Sequence, residues 1–233
     1  ISRGDWSSDV CSSDLSWFIW KYSNAKSIVD VNSPNVIFYG PPGTGKTYTV
    51  KNNLDFVCQG DQTRYQILQF HPSFTYEDFI DGIKPKGVVN GNIKFELVNG
   101  IFKQFCIEAK RQPEKDFYFV VDEINRANLS TVFGETLMCL ENNYRHDLRD
   151  EKCSNLVKTQ YSKLIEDLIK DGGSEDLAYD LSDTGEVKFG VPNNVFFIGM
   201  MNDVDKSIDT FDLALRRRFK YSKFAKFRKF KIK

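Results

Sequence analysis

The sequence predicts an α/β fold, three layers deep, built on a parallel central sheet. Three observations carry that prediction. Apolar, strand-sized runs at Val36–Tyr39, Phe117–Val121 and Asn194–Met201 each end in glycine-rich or polar residues. Stretches with helical apolar spacing lie between the runs. The first run leads straight into a glycine-rich loop and then a helix, the order of a strand–loop–helix unit in a parallel sheet. With 233 residues, 41% hydrophobic and 27% charged, the chain has the composition of a soluble globular domain with a real core.

The first unit, "NVIFYGPPGTGKTYTV", is the most informative. Gly40, Gly43, Gly45, Lys46 and Thr47 fill the pattern G-x-x-x-x-G-K-[ST], with Pro41, Pro42, Thr44 and Tyr48 completing the candidate binding loop. Glycines there let backbone N–H groups turn inward and cradle phosphate oxygens at a helix N-terminus. Lys46 is expected to neutralise the β- and γ-phosphates, and Thr47 to ligate Mg²⁺. "DFYFVVDEINRAN" supplies the second half of such a site. Its apolar run delivers Asp122 and Glu123 to a strand end, where ligands bind in open α/β sheets. Asp122 is the expected Mg²⁺ anchor, directly or through water, and Glu123 the residue that orients and deprotonates an attacking water. The third run stops at Asn202, whose amide is placed to contact the γ-phosphate or the water.

Between these units, "RYQILQF" reads as a further strand. "GVVNGNIKFELVNG" alternates apolar and polar residues around Asn90-Gly91, the signature of a two-residue β-hairpin. "IFKQFCIEAKRQ" is an amphipathic helix with Phe102, Phe105, Cys106 and Ala109 on one face, and "STVFGETLMCLEN" is read as another helix. Residues 144–191 are expected to form a surface insertion with one short helix.

Five scattered cysteines without C-x-x-C spacing argue against a disulfide framework or zinc site and fit a reducing, cytoplasmic location. No apolar run reaches membrane-spanning length, so no membrane partner is expected. Net charge is zero, but unevenly spread: residues 216–233 hold ten bases and no acid, leaving 22 bases against 32 acids elsewhere. Both ends read as foreign to the fold. "DWSSDVCSSDL" resembles translated sequencing-adapter read-through, so residues 1–15 are expected to be artefactual and residues 16–219 to form the core. Residues 220–233 read as a basic tail, from a truncated or frame-shifted end or as a nucleic-acid-binding segment.

Taken together, "GPPGTGKTY", "QFHPSFTYEDFIDGIKP", "VVDEINRANLSTVFGETL" and "MNDVDKSIDTFDLALRRRF" resemble the AAA+ P-loop NTPases, and within them the McrB-like, dynein-related (MoxR-like) group. The resemblance implies a Mg²⁺-dependent ATPase or GTPase that works as a homo-oligomeric ring, a hexamer by analogy. It implies a role in DNA restriction with a McrC-like nuclease partner, reaching DNA through that complex. A MoxR-like protein-remodelling ATPase and a nucleotide-switched nucleic-acid-binding module are the alternatives. It places Arg217 and Arg218 at the arginine-finger position, acting on a neighbour's nucleotide, and Asp205 in the loop tied to nucleotide choice. That loop departs from the family's M-N-T-A-D-R-S at Asp203, Val204 and Lys206, so ATP is favoured and GTP stays open. A helical lid is implied after Phe219; with so few residues remaining it is expected to be missing, and turnover by this chain alone to be slow.

Overall fold

The computed structural model describes residues 33–149, 155–202 and 213–224. Residues 1–15, most of the stretch from residue 16 to the first strand, and Asp205 lie outside the described residues. Five strands form one sheet: β1 (Asn35–Gly40), β2 (Tyr65–Gln69), β5 (Phe117–Asp122), β8 (Val195–Asn202) and β9 (Lys220–Lys223). Their spatial order is β2-β5-β8-β1-β9, and every adjacent pair is parallel. A parallel sheet is covered on both faces, which explains why its inner strands are unbroken apolar runs rather than alternating ones.

Successive residues of those strands divide between the two faces. Ile37, Phe119, Val121, Phe197 and Met201 enter one core, with Phe102, Phe105 and Ala109 of α3 (Ile101–Lys110) and Phe79 of α2 (Tyr76–Phe79). Val36, Val120, Ile198 and Met200 enter the other, against Val50 and Leu54 of α1 (Lys46–Val57). The layers are therefore helix, sheet, helix, as the sequence predicts. The first core is aromatic: Phe79 stacks on Phe102 at 4.7 Å between ring centroids and meets Phe133 edge-on at 4.8 Å.

The predicted hairpin is β3 (Asp81–Val89) paired antiparallel with β4 (Asn92–Asn99). Asn90 (φ 52°) and Gly91 (φ 78°) both occupy the left-handed region that a two-residue turn of this hand requires. The hairpin closes where Gly100 N donates to Ile80 O at 2.6 Å. A Cβ on Gly100 would lie 2.2 Å from the Phe79 carbonyl carbon and 2.4 Å from Ile80 N. Both obstacles are backbone, so Gly100→Ala must shift the chain. We expect it to lower stability by about 1–3 kcal/mol, read as a lower urea midpoint with an unchanged slope.

Three expectations are corrected. The stretch after β5 is not one continuous helix. α4 (Leu129–Phe133) ends at Gly134, whose φ of 51° leaves the helical region, and a 3₁₀ segment continues to Leu140. The Tyr144–Val191 segment does contain its short helix, α5 (Ser162–Lys170), but it is not confined to the surface. Arg145, Tyr179, Phe189 and Val191 are buried, and two short strands, β6 (Asp180–Leu181) and β7 (Val187–Lys188), pair within it. Finally, the expected basic tail begins with a strand of the sheet. β9 pairs with β1 from Val36↔Lys220 to Tyr39↔Lys223, and Phe224 N donates to Tyr39 O at 2.7 Å. Lysines on an edge strand keep the fold while discouraging a further strand from adding, so basic composition was compatible with sheet pairing. Among the described residues, no helix is long and apolar enough to cross a membrane.

Candidate nucleotide-binding site

The exit ends of three strands converge. Gly40 of β1 lies opposite Asn202 of β8, and Asp122 of β5 lies opposite Gln69 of β2. The sequence segments read separately as loop, acid pair and amide therefore meet at one sheet edge. Gly43 (φ 72°) and Gly45 (φ 78°) take left-handed backbone that other residues adopt only with strain. Gly45 N-caps α1 without a side-chain hydrogen bond, which leaves first-turn N–H groups for an anion. Thr44 Oγ1 donates to Pro41 O at 2.9 Å and closes the loop on itself. Pro41, Pro42 and Tyr48 are exposed on its rim.

Lys46 is buried and its ammonium group uses three donors. Nζ donates to Gly40 O at 2.8 Å, Pro41 O at 2.9 Å and Asn202 Oδ1 at 3.0 Å. The other end of the Asn202 amide donates from Nδ2 to Glu123 Oε1 at 2.9 Å. Asn202 thus links the candidate phosphate cation to the candidate base. Glu123 has φ 51° and ψ 44°, a left-handed conformation uncommon for a residue with a side chain. Its other oxygen pairs loosely with Arg126 Nε at 3.5 Å.

Thr47 Oγ1 donates to Asp122 Oδ2 at 2.8 Å, and Asp122 Oδ1 accepts from Glu123 N at 3.0 Å. A hydroxyl and a carboxylate side by side form a hard-oxygen donor set, the kind Mg²⁺ takes when phosphate and water complete its octahedron. Among the described residues no group of three or more His, Cys, Asp or Glu could hold a metal alone. The Thr47–Asp122 pair fits a divalent cation whose remaining ligands are phosphate and water oxygens.

The arginines lie at the opposite edge. They precede β9, whose first residue, Lys220, is level with Val36 near the start of β1. At ~3.3 Å per residue, the length of β1 separates that edge from the glycine-rich loop by roughly 17 Å. The two candidates differ sharply. Both pair with Glu141 Oε1, Arg217 at 3.2 Å and Arg218 at 2.6 Å, but Arg217 is 66% exposed, whereas Arg218 is 8% exposed and also donates to Ala214 O at 2.5 Å. Glu141 was invisible to motif reading, since a lone Glu in "CLENNY" carries no pattern. His71 is exposed and packs edge-on against Phe74, while Phe70 and Phe79 are core residues.

The AAA domain family, dynein-related subfamily, matches residues 35–219, from the first residue of β1 to the end of the arginine run. The chain belongs to this family. Two curated relatives are restriction-enzyme components. The chain is 43% identical over 189 residues to the McrB subunit of the type IV methyl-directed restriction enzyme EcoKMcrB of Escherichia coli K12, covering 80% of this chain and 34% of that protein. It is 25% identical over 218 residues to component YdiS of the type II restriction enzyme BsuMI of Bacillus subtilis 168, covering 84% of this chain and 59% of that one. The chain spans about a third and three fifths of these two relatives. The match makes this an AAA+ domain of the McrB-like group, as the sequence motifs imply.

Proposed function

We propose that this domain binds a Mg²⁺–nucleoside triphosphate at the β1–β5–β8 edge and hydrolyses it as the motor of a DNA restriction complex. One observation carries the reading: the glycine-rich loop, the Thr47–Asp122 pair, Glu123 and Asn202 converge at the exit ends of parallel strands. Gly40 to Tyr48 cradle the phosphates, and Asp205, outside the described residues, acts in nucleotide choice by family analogy. A phosphate oxygen entering the loop competes for Lys46 with three neutral carbonyl oxygens, and a charge-assisted hydrogen bond favours the phosphate. Thr47 and Asp122 hold Mg²⁺, which supplies charge neutralisation on the β- and γ-oxygens. Glu123 takes the proton of the attacking water, and Asn202 positions Glu123.

Arg217 stands too far from its own loop to serve it and acts on the next subunit of a ring, a hexamer by family analogy. Arg218, of the two candidates, is the one buried against its own chain. The restriction setting rests on the two relatives and implies a McrC-like nuclease partner and DNA reached through the complex. ATP is the favoured nucleotide; the changed residues between Asn202 and Ser207 leave GTP to direct competition of the two nucleotides for binding.

The test is Lys46→Ala in the full-length protein that carries this domain. Losing a hydrogen-bonded cation from a phosphate is expected to weaken nucleotide binding by about 10–10²-fold with the fold retained. Titration with a fluorescent nucleotide analogue beside a circular-dichroism melt reads both. Unchanged affinity would remove Lys46 and the loop from the proposal.

A further inference from the structure

We infer that Glu141 is a positioning residue for the arginine edge, its carboxylate holding the Arg217 guanidinium where it faces a neighbouring subunit; this rests on the trans-acting role proposed for Arg217. A single oxygen, Glu141 Oε1, accepts from Arg217 Nη2 at 3.2 Å and pairs with Arg218 Nη2 at 2.6 Å. The two cations play unequal parts. Arg218 is almost wholly buried, donates Nη1 to Ala214 O, and leaves Nε buried without a hydrogen-bond partner. Glu141 is the acid that compensates it, so the carboxylate is fixed from below.

The backbone on both sides of this pairing is also fixed. Asn35 Nδ2 donates to Leu140 O at 2.6 Å and to Arg218 O at 3.0 Å, so one buried amide ties the residue before Glu141 to Arg218 itself. Arg145, 5% exposed, donates to Asn35 Oδ1 at 2.5 Å and to Leu140 O at 3.4 Å. An exposed ion pair usually contributes little because two long side chains must be ordered together. Here the acid is already ordered, and only Arg217 must be. A cleft of about 390 Å³ lined by Asn142, Asn143, Arg217 and Lys220 opens beside the pair, so the guanidinium that Glu141 holds borders open space.

Remove the charge on Glu141 and two adjacent arginines repel, with Arg217 losing its anchor. Misplacing a transition-state group by about 1 Å can cost around 10²-fold in rate. Glu141→Gln in the full-length, assembled protein is therefore expected to lower kcat by about 10–10²-fold and leave nucleotide affinity unchanged. Mixing supplies the readout that a merely structural role would not give. Glu123→Gln subunits should bind nucleotide without turning it over, yet they carry an intact Glu141–Arg217 edge. In mixed rings they should raise the turnover of Glu141→Gln sites above that of either protein alone.

Should Glu141→Gln fail to fold, the double variant Arg218→Met, Glu141→Gln removes the uncompensated cation and is expected to show the same loss and the same rescue. Wild-type turnover by the Glu141 variants while Arg217→Ala is slow overturns the positioning role alone. A loss that mixing does not restore overturns it as well. Unchanged turnover by Arg217→Ala in the assembled protein overturns the trans-acting arginine itself, and this inference with it.

Discussion

Glu123→Gln is expected to keep nucleotide binding and lose turnover by about 10²–10⁴-fold, the range over which a positioned general base contributes. The substitution preserves volume and leaves a carbonyl oxygen that can still accept from Asn202 Nδ2, as Glu123 Oε1 does at 2.9 Å. What it removes is the basicity that accepts the water proton. The backbone at Glu123 is already held in an uncommon left-handed conformation, so local geometry is set by the chain and not by the carboxylate charge. Single-turnover assays with the full-length protein, beside equilibrium binding, separate the two effects. Asn202→Ala sharpens the test. If Asn202 acts by positioning Glu123, the double variant is no slower than Glu123→Gln alone, because residues acting as a unit are not additive. An additive loss would give Asn202 an independent role. Turnover equal to wild type in Glu123→Gln would take the base assignment away altogether.

The sheet and the candidate site were legible in the sequence for a common physical reason. Buried parallel strands must be apolar on both faces, and a phosphate loop needs glycine where φ is positive, so "FYFVVDE" and "GPPGTGK" carry their structure locally. The hairpin was legible because Asn90-Gly91 takes a backbone conformation that few pairs tolerate. The missed features are those defined by distant partners. β9 is held by ladder bonds to β1, and nothing within "KYSK" distinguishes a strand from a basic tail. Arg145 looked like one more charge in a polar stretch. Its guanidinium nevertheless donates to Pro192 O at 3.1 Å and Val195 O at 2.5 Å, joining the start of β8 to Asn35 at the start of β1. Burial lowers its pKa to about 10, and it still carries its charge at neutral pH. Glu141 belongs to the same class. Its significance lies in the two arginines more than seventy residues away that share its oxygen, and spacing alone cannot express that.

Lys103 escaped the sequence reading in the same way, and breaking its pair is expected to produce the largest loss of stability. It sits beside the apolar face of α3 and is buried, with Nζ 2.6 Å from Oδ1 of Asp81 at the base of the hairpin. Asp81 Oδ2 also accepts from Thr159 Oγ1 at 3.2 Å, so one carboxylate joins the hairpin, α3 and the segment that follows the 3₁₀ turn. Removing either partner strands a buried charge, for which a loss of about 3–5 kcal/mol is expected. Asp81→Asn and Lys103→Met should therefore both melt early. Replacing the pair together by Leu and Met should recover most of that loss, because desolvation no longer has a charge to act on.

The two single variants should respond to pH with opposite slopes. Burial pushes the Asp81 carboxyl above its ordinary value, and the Lys103 cation that opposes this is absent in Lys103→Met. A carboxyl whose folded pKa is raised favours the folded state below its unfolded value, near 4, and loses that advantage as pH rises through the folded value. The deficit of Lys103→Met should therefore grow from acidic toward neutral pH. Burial pushes Lys103 below its ordinary value, and Asp81→Asn leaves it without its anion. An amine with a lowered folded pKa loses stability as pH falls through that value, so the deficit of Asp81→Asn should grow from alkaline toward neutral pH. Urea midpoints of both variants at three pH values measure the slopes. Parallel slopes would mean that the destabilisation comes from lost packing around the stems and not from a stranded charge.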